Sequence, residues 1–349
     1  MSVRMQEVVA AFGFRKQTAI GTAAIAADCW RLSKINAALA NPKLITESDA
    51  AEYGKGHEFA TALIKSYWDV GFTIEKYLSA EMAAWALSFG MGKVVKTGSG
   101  GNWIYTITTP FGSAGDSVEL PTFSWVEQIR IGGGTVVLDR VIVGVAVESW
   151  MISLGSGPGR ANSKIAIECV GSGKYVSPSS ITIPAASAEK LLPAASAAVT
   201  IIGVDYITAK DLISLEMGWK NNIRMDSGFY PGSGFQTSGD GSTGAIRGRM
   251  EYGDRVGTLR FVARYKYGSA ELTKLLALTT GTAVVTLTYD ANATVTVTWQ
   301  QVGFAVAEIG ETDGWVSVSV DCTPQYHATN AVVSAVAKCN TDNICQAPT

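Results

Sequence analysis

Lys76-Tyr77-Leu78-Ser79-Ala80-Glu81-Met82 recurs further along the chain as Lys266-Tyr267-Gly268-Ser269-Ala270-Glu271-Leu272. In both places an alternating apolar and polar run leads in and a run of helical spacing leads out, so each copy reads as a strand followed by a capped helix. From Tyr67 to Tyr77, Trp68, Val70, Phe72 and Ile74 share one face of a half-buried strand. Ser79 stands at the N-cap, with Glu81 in the first turn. Met82, Trp85, Ala86 and Phe89 keep helical spacing, and Gly90 and Gly92 end the helix. In the second copy Leu259, Phe261, Ala263, Tyr265 and Tyr267 alternate with Thr258, Arg260, Val262, Arg264 and Lys266. Ser269 then caps, Leu272, Leu275, Leu276 and Thr279 follow, and Gly281 stops the helix. The apolar phase differs by one residue between the copies, so either a bulge intervenes or the two strands bury different faces. Copies separated by more than half of a 349-residue chain are domain-sized units, not links of a short solenoid.

Outside the two copies the layout also agrees. A short strand, Trp30 to Ile35 or Leu212 to Trp219, leads into a long polar stretch, Asn41 to His57 or Asp226 to Ile246. The second stretch is Gly-rich and reads as a loop, and two long loops in equivalent places suit contact with a neighbouring molecule. After the first helix, strands are expected at Trp103 to Thr109, Thr122 to Ile131, Val141 to Leu154 and Ser163 to Val170. After the second, Ala283 to Tyr289 pairs with Thr294 to Trp299, and Ala305 to Ile309 pairs with Trp315 to Val320. Pro178 to Ala198, rich in Ala, Ser and Pro, is the expected connection, with a short helix at Ser187 to Leu192. The expected fold class is therefore mainly β, a β-sandwich or partial barrel with a flanking helix, present twice. The first domain covers 1–177, the linker 178–200, and the second domain with a C-terminal tail 201–349.

Charged residues make up 17% of the chain, against about 25% in an average soluble domain. A surface so poor in charge suits a protein that covers itself with further copies. With 28 basic residues against 30 acidic ones, a net charge of -2 argues against a protein built to grip phosphates. No apolar run is long enough for a transmembrane helix. Thr18 to Cys29 reads as strand and loop more readily than as an export signal, because it holds Gly21 and Thr22 and lacks leucine. Cys29, Cys169, Cys322, Cys339 and Cys345 are odd in number and lack C-x-x-C spacing, so they suggest reduced thiols, with a bridge between Cys339 and Cys345 in an exposed tail as the one alternative.

Catalytic equipment is missing from the pattern. Two histidines, His57 and His327, offer no triad or metal spacing. Gly171-Ser172-Gly173-Lys174 is followed by Tyr175 where a phosphate loop needs Ser or Thr, so it reads as a turn. Glu47, Asp49 and Glu52 lack the glycine and spacing of a calcium loop. Trp68, Trp85, Trp125, Trp150, Trp219, Trp299 and Trp315 are expected as core or interface anchors, without interleaved basic residues for base stacking. No catalytic, cofactor-binding or metal residue is assigned, and the chain is not expected to be an enzyme.

The order strand, long loop, strand, Ser-capped helix, hairpins resembles the tail tube proteins of long-tailed, siphovirus-like bacteriophages. Tyr67 to Gly92, Arg255 to Gly281 and Asp139 to Lys174 carry that resemblance, covering about half the chain. It implies a structural virion protein, assembled in the bacterial cytoplasm, whose sandwich strands join those of neighbours around a channel for genome ejection. Implied partners are further copies in stacked rings, tail terminator and tail tip or baseplate proteins, and double-stranded DNA passing without specific contacts. Family members carry one such domain and form hexamers. A chain with two would make a ring from three copies, with a hexamer as the alternative. A barrel wide enough for duplex DNA needs on the order of two dozen strands, and closing it hides sheet edges. The polar hairpin Thr286 to Thr298 is the expected channel lining. The alternatives are a decoration or spike subunit, or a carbohydrate-binding sandwich.

Overall fold

Val, Ile and Thr dominate the alternating runs, and branched side chains pack well on a pleated surface, so these runs become strands. The computed structural model describes residues 7–20, 22, 28–31, 36–37, 40, 42–48, 63–110, 119–131, 135–155, 162–176, 182–185, 189–208, 212–224, 235–237, 243–266 and 270–346. The protein is mainly β, with antiparallel strands closed into a barrel and a separate four-stranded sheet beside it. The first half runs β1 (Glu7–Gly13), β2 (Cys29–Arg31), β3 (Asn36–Ala37), β4 (Lys43–Ser48), β5 (Leu63–Asp69), β6 (Gly71–Tyr77), α1 (Ala80–Met91), β7 (Lys93–Ser99), β8 (Asn102–Thr108), β9 (Phe123–Ile131), β10 (Thr135–Gly155) and β11 (Lys164–Val176). The second runs β12 (Ala198–Ile201), β13 (Val204–Asp205), β14 (Leu212–Lys220), β15 (Phe235–Thr237), β16 (Thr243–Ala245), β17 (Val256–Arg264), α2 (Glu271–Leu276), β18 (Thr280–Asp290), β19 (Ala293–Thr312), β20 (Trp315–Pro324) and β21 (Val333–Cys339).

Strand pairing repeats between the halves. Neighbours β3, β6, β11, β10 in the first match β14, β17, β20, β19 in the second. Neighbours β2, β1, β9, β10 likewise match β13, β12, β18, β19. The hairpins β4–β5 and β15–β16 occupy the same place in chain order, and β16 joins β5 in parallel to form the small sheet. Among the described residues β7, β8 and β21 have no counterpart, and β21 pairs with β8. A further short signature matches this pairing: Ile165-Ala166-Ile167-Glu168-Cys169 on β11 against Val318-Ser319-Val320-Asp321-Cys322 on β20. Cys169 is the register partner of Phe72, and Cys322 that of Leu259. Both ladders are unbroken, and Phe72, Ile74, Leu259 and Phe261 are all buried. The phase difference between the sequence copies therefore arises neither from a bulge in β6 or β17 nor from opposite burial. Extra residues separate β17 from its helix, and an odd number of them inverts the phase.

The halves are joined edge to edge. The C-terminal end of β10 pairs with β14, from Ser149 opposite Lys220 to Gly155 opposite Ser214. One run of neighbours, β3-β6-β11-β10-β14-β17-β20-β19, thus crosses both halves. Asn221 clamps that joint: its Nδ2 donates to the carbonyls of Gly90 at 2.8 Å and Val147 at 3.0 Å, while its Oδ1 accepts from Trp219 Nε1 at 3.1 Å.

The helix start is as the sequence reads. Ser79 Oγ accepts the Met82 N–H at 3.1 Å, and Gly92 closes the helix with φ 95°. Every residue of α1 is buried, beyond what one apolar face would give, because strands lie on more than one side of it. Trp85 sits at the centre, 4.3 Å from Phe12 and 4.8 Å from Phe123 between ring centroids, with Nε1 donating to the Gly13 carbonyl.

Several expectations are corrected. The run Tyr67 to Tyr77 divides at Val70, whose carbonyl accepts from Gly171, so that β5 turns away into the small sheet. Thr294 to Trp299 and Ala305 to Ile309 are one strand, β19, because its bulge between Phe304 and Val306 bends the chain without ending it. The Gly-rich stretch after Asp226 contains β15 and β16. Gly171 to Lys174 lie within β11, not in a turn, since the small residues allow close packing against Val70. The helix after Glu271 ends at Leu276, well before Gly281; Ser269 lies outside the described residues, as do His57, Asp49 and Glu52. The helical turn of the connection falls at Ala194–Ser196 rather than before Leu192, which forms a backbone bond to Leu78. The C-terminal end is not an exposed tail. β21 is central, Ile344 and Cys345 are buried, and all five cysteines are free.

Candidate functional site

Low-charge strands that run on past their partners leave backbone groups open to another chain. β10 and β19 make this visible because each has the same two edges. Along one edge β10 carries β9 and then β14, whereas β19 carries β18 only as far as Gly303. From Phe304 to Thr312 that edge of β19 has no partner strand among the described residues. Apolar side chains are exposed on this hairpin: Val306 and Ile309 on β19 are 41% and 49% exposed, and Trp315 and Val316 on the neighbouring β20 are 54% and 55% exposed. The Arg264 guanidinium lies 4.2 Å from the Trp315 ring centre and covers one of its faces.

The solvent face of the long run is the second element of the site. Pairing registers align Tyr77, Lys164, Ser153, Glu216, Arg260, Asp321 and Val306 in one cross-strand row. Charges in the row alternate in sign. Arg260 engages both carboxylate oxygens of Asp321, Nη2 to Oδ2 at 3.0 Å, and this contact raises the guanidinium pKa. A neighbouring row holds Thr73, Glu168, Ser149 and Lys220, with Ser149 Oγ donating to Glu168 at 2.8 Å. Glu75, Tyr77, Met151, Ser153, Lys164 and Glu216 line a shallow groove of about 410 Å³ on this face. Such a surface presents no stripe of a single sign.

Thr286 to Thr298 lies elsewhere. Its threonines are half-buried on β18 and the first part of β19, alternating with buried Val285, Leu287, Val295 and Val297, and their neighbours are β12 and β21. Thr286 and Thr296 share a hydroxyl contact of 3.0 Å.

Among the described residues no cluster of His, Cys, Asp or Glu has metal-binding geometry. Burial pushes the thiols of Cys29, Cys322, Cys339 and Cys345 up to about 12, which leaves them inert at neutral pH. His327 is half-buried, and its Nδ1 accepts from the Thr329 N–H at 3.3 Å. Trp85, Trp125, Trp150 and Trp299 are fully buried, so only Trp315 of the tryptophans above stands out from the surface as an anchor. Lys76 and Glu189 form a buried ion pair that ties the connection to β6; burial lowers the lysine pKa, and the carboxylate opposes that shift. No protein-family profile matches the chain, and no curated protein matches it.

Proposed function

We propose that this protein is the repeating subunit of a bacteriophage tail tube, two copies of one folding unit that polymerise into a hollow conduit for DNA. The observation that carries the reading is the joint between β10 and β14. Inside the chain, the end of one four-strand unit accepts the first strand of the next; at the end of the second unit, β19 offers the same edge with no strand on it among the described residues. A second copy has the matching first strand in β3, the counterpart of β14. Repetition of that joint adds eight strands per copy, and three copies reach on the order of two dozen, the number suited to a channel for duplex DNA.

The face of the long run is the lining we propose, in place of the threonine hairpin. Phosphates gain affinity from each Lys or Arg that replaces a counterion, so a row whose Arg260 is already matched by Asp321 holds DNA weakly and lets it slide. Exposed Trp315, Val316 and Ile309 also suit an edge that another copy covers. The test is electron microscopy of the purified protein held at high concentration. Hollow tubes or rings with threefold repeats are the expected result. Discrete monomers at every concentration would overturn the reading, and discrete globular trimers would favour a decoration or spike subunit.

A further inference from the structure

Helices α1 and α2 hold the same place in the two halves, each packed on its own long strand, β10 or β19. Their surroundings differ. Strands β8, β19 and β21 also lie on α1, and all of its residues are buried. Against α2 the main partner is β19, and the end of the helix is bare: Leu276 is 84% exposed and Leu278 is 78% exposed. Leu278 in addition has φ 50°, a left-handed conformation that glycine adopts without strain and leucine does not. An apolar side chain held out in water at a strained position contributes nothing to the isolated chain.

The missing cover is identified by the same correspondence that matches β10 to β19. What the second half lays on α1 includes β19, with β21 along its edge from Thr294 to Trp299. The matching stretch of β10 is Val136 to Ile142; as far as Arg140 it pairs with β9 on one side and has no strand on its other side among the described residues. Val136 and Val137 there are 42% and 52% exposed. One bare helix end and one bare strand stretch thus occupy the two sides of a single kind of contact.

We infer that Leu276 and Leu278 of one copy seat on Val136 and Val137 of a second copy, repeating between molecules the contact that α1 makes with β19 and β21 within one. The occupant is another copy of this chain because the contact continues an interface already built inside it. This inference rests on the tube reading and adds a second attachment point, separate from the open edge of β19.

Two variants test it. Leu276→Ser with Leu278→Gly removes both apolar groups while relieving the backbone at 278. Thermal unfolding of the monomer should be unchanged or move upward, and the protein concentration needed for tubes should rise at least tenfold. Leu276→Cys with Val137→Cys should form disulfide-linked ladders upon mild oxidation of assembled particles, with neither single variant doing so; the native thiols are buried and stay silent. Normal assembly by the first variant together with no ladder from the second overturns this contact and leaves the tube reading standing. Failure of the unaltered chain to form rings or tubes overturns both.

Discussion

β10 and β19 hold equivalent places in two matching patterns of strand pairing, one with β14 along its end and one with no strand on that edge among the described residues. Around β10, Ser149 to Ser153 are paired on both sides, and the helix packed on it is sealed. Around β19, residues beyond Phe304 are paired on one side, and the helix packed on it ends in two exposed leucines. The difference shows one edge filled inside the chain and its counterpart left without a strand among the described residues, and the proposed tube takes the first as the template for the second. It also separates buried residues that hold the fold from exposed ones that the proposed tube assigns to a neighbour.

The sharpest way to break this comparison is to remove one side chain from each helix. Trp85→Ala in α1 should cost about 3–5 kcal/mol in urea unfolding, because the ring is fully buried among Phe12, Phe89 and Phe123. Leu276→Ala in α2 should stay within about 0.5 kcal/mol. Equal losses would mean that α2 is as buried as α1 and that the two settings do not differ. Next in size is Asn221→Ala, expected to cost about 1–3 kcal/mol because the carbonyls of Gly90 and Val147 lose a buried donor. Hydrogen exchange should then rise along β14 before it rises along β20; uniform exchange would show that the clamp is not local to the joint.

Ile309→Lys places a charge on the open edge and should raise the concentration needed for assembly about tenfold, worth about 1.4 kcal/mol. Sedimentation reads that shift, and an unchanged value would exclude this edge as the contact. A smaller effect is expected from pH. Burial, opposed by the backbone N–H of Lys190, holds the Glu81 carboxyl at the start of α1 above its ordinary 4.5. The folded chain keeps that proton longer than the unfolded one, so this stabilisation is complete below 4.5 and is lost as pH rises through the folded value. Glu81→Gln should flatten the unfolding midpoint across that window; a slope identical to the unaltered protein would assign the pH dependence to other groups.

Much of this architecture was legible in local pattern. Ser79, Gly92 and the alternation from Val70 to Tyr77 act through neighbours in sequence, and they form the cap, the helix stop and the strand that the letters imply. What escaped depends on distant partners. β19 reads as two strands because the bulge after Phe304 interrupts the alternation, and only pairing with β20 shows that the chain continues. Gly171 to Gly173 carry turn letters, yet they are strand because Val70 and Ile142 come close there. The exposed apolar positions left a fainter trace still. Leu276 looks like a core position of a longer helix, and Val306 and Ile309 like an ordinary hairpin. Exposure, which no single-residue pattern encodes, is what sets them apart. The match of Glu168-Cys169 with Asp321-Cys322 was present in the letters and would have fixed the repeat's phase.

The pairing of β21 with β8 sets the order in which the molecule can be made. Cys339 lies opposite Trp103, so a strand from the end of the chain completes a ladder begun near its start. A nascent chain on the ribosome exposes the waiting edges of β8 and β19 until Val333–Cys339 has emerged, and such long-range closure is slow. Messages cut short before residue 333 would yield subunits with two raw margins, prone to clump with each other in the cell. Synthesis through residue 339 therefore acts as a gate: only a polypeptide that carries β21 conceals those two edges.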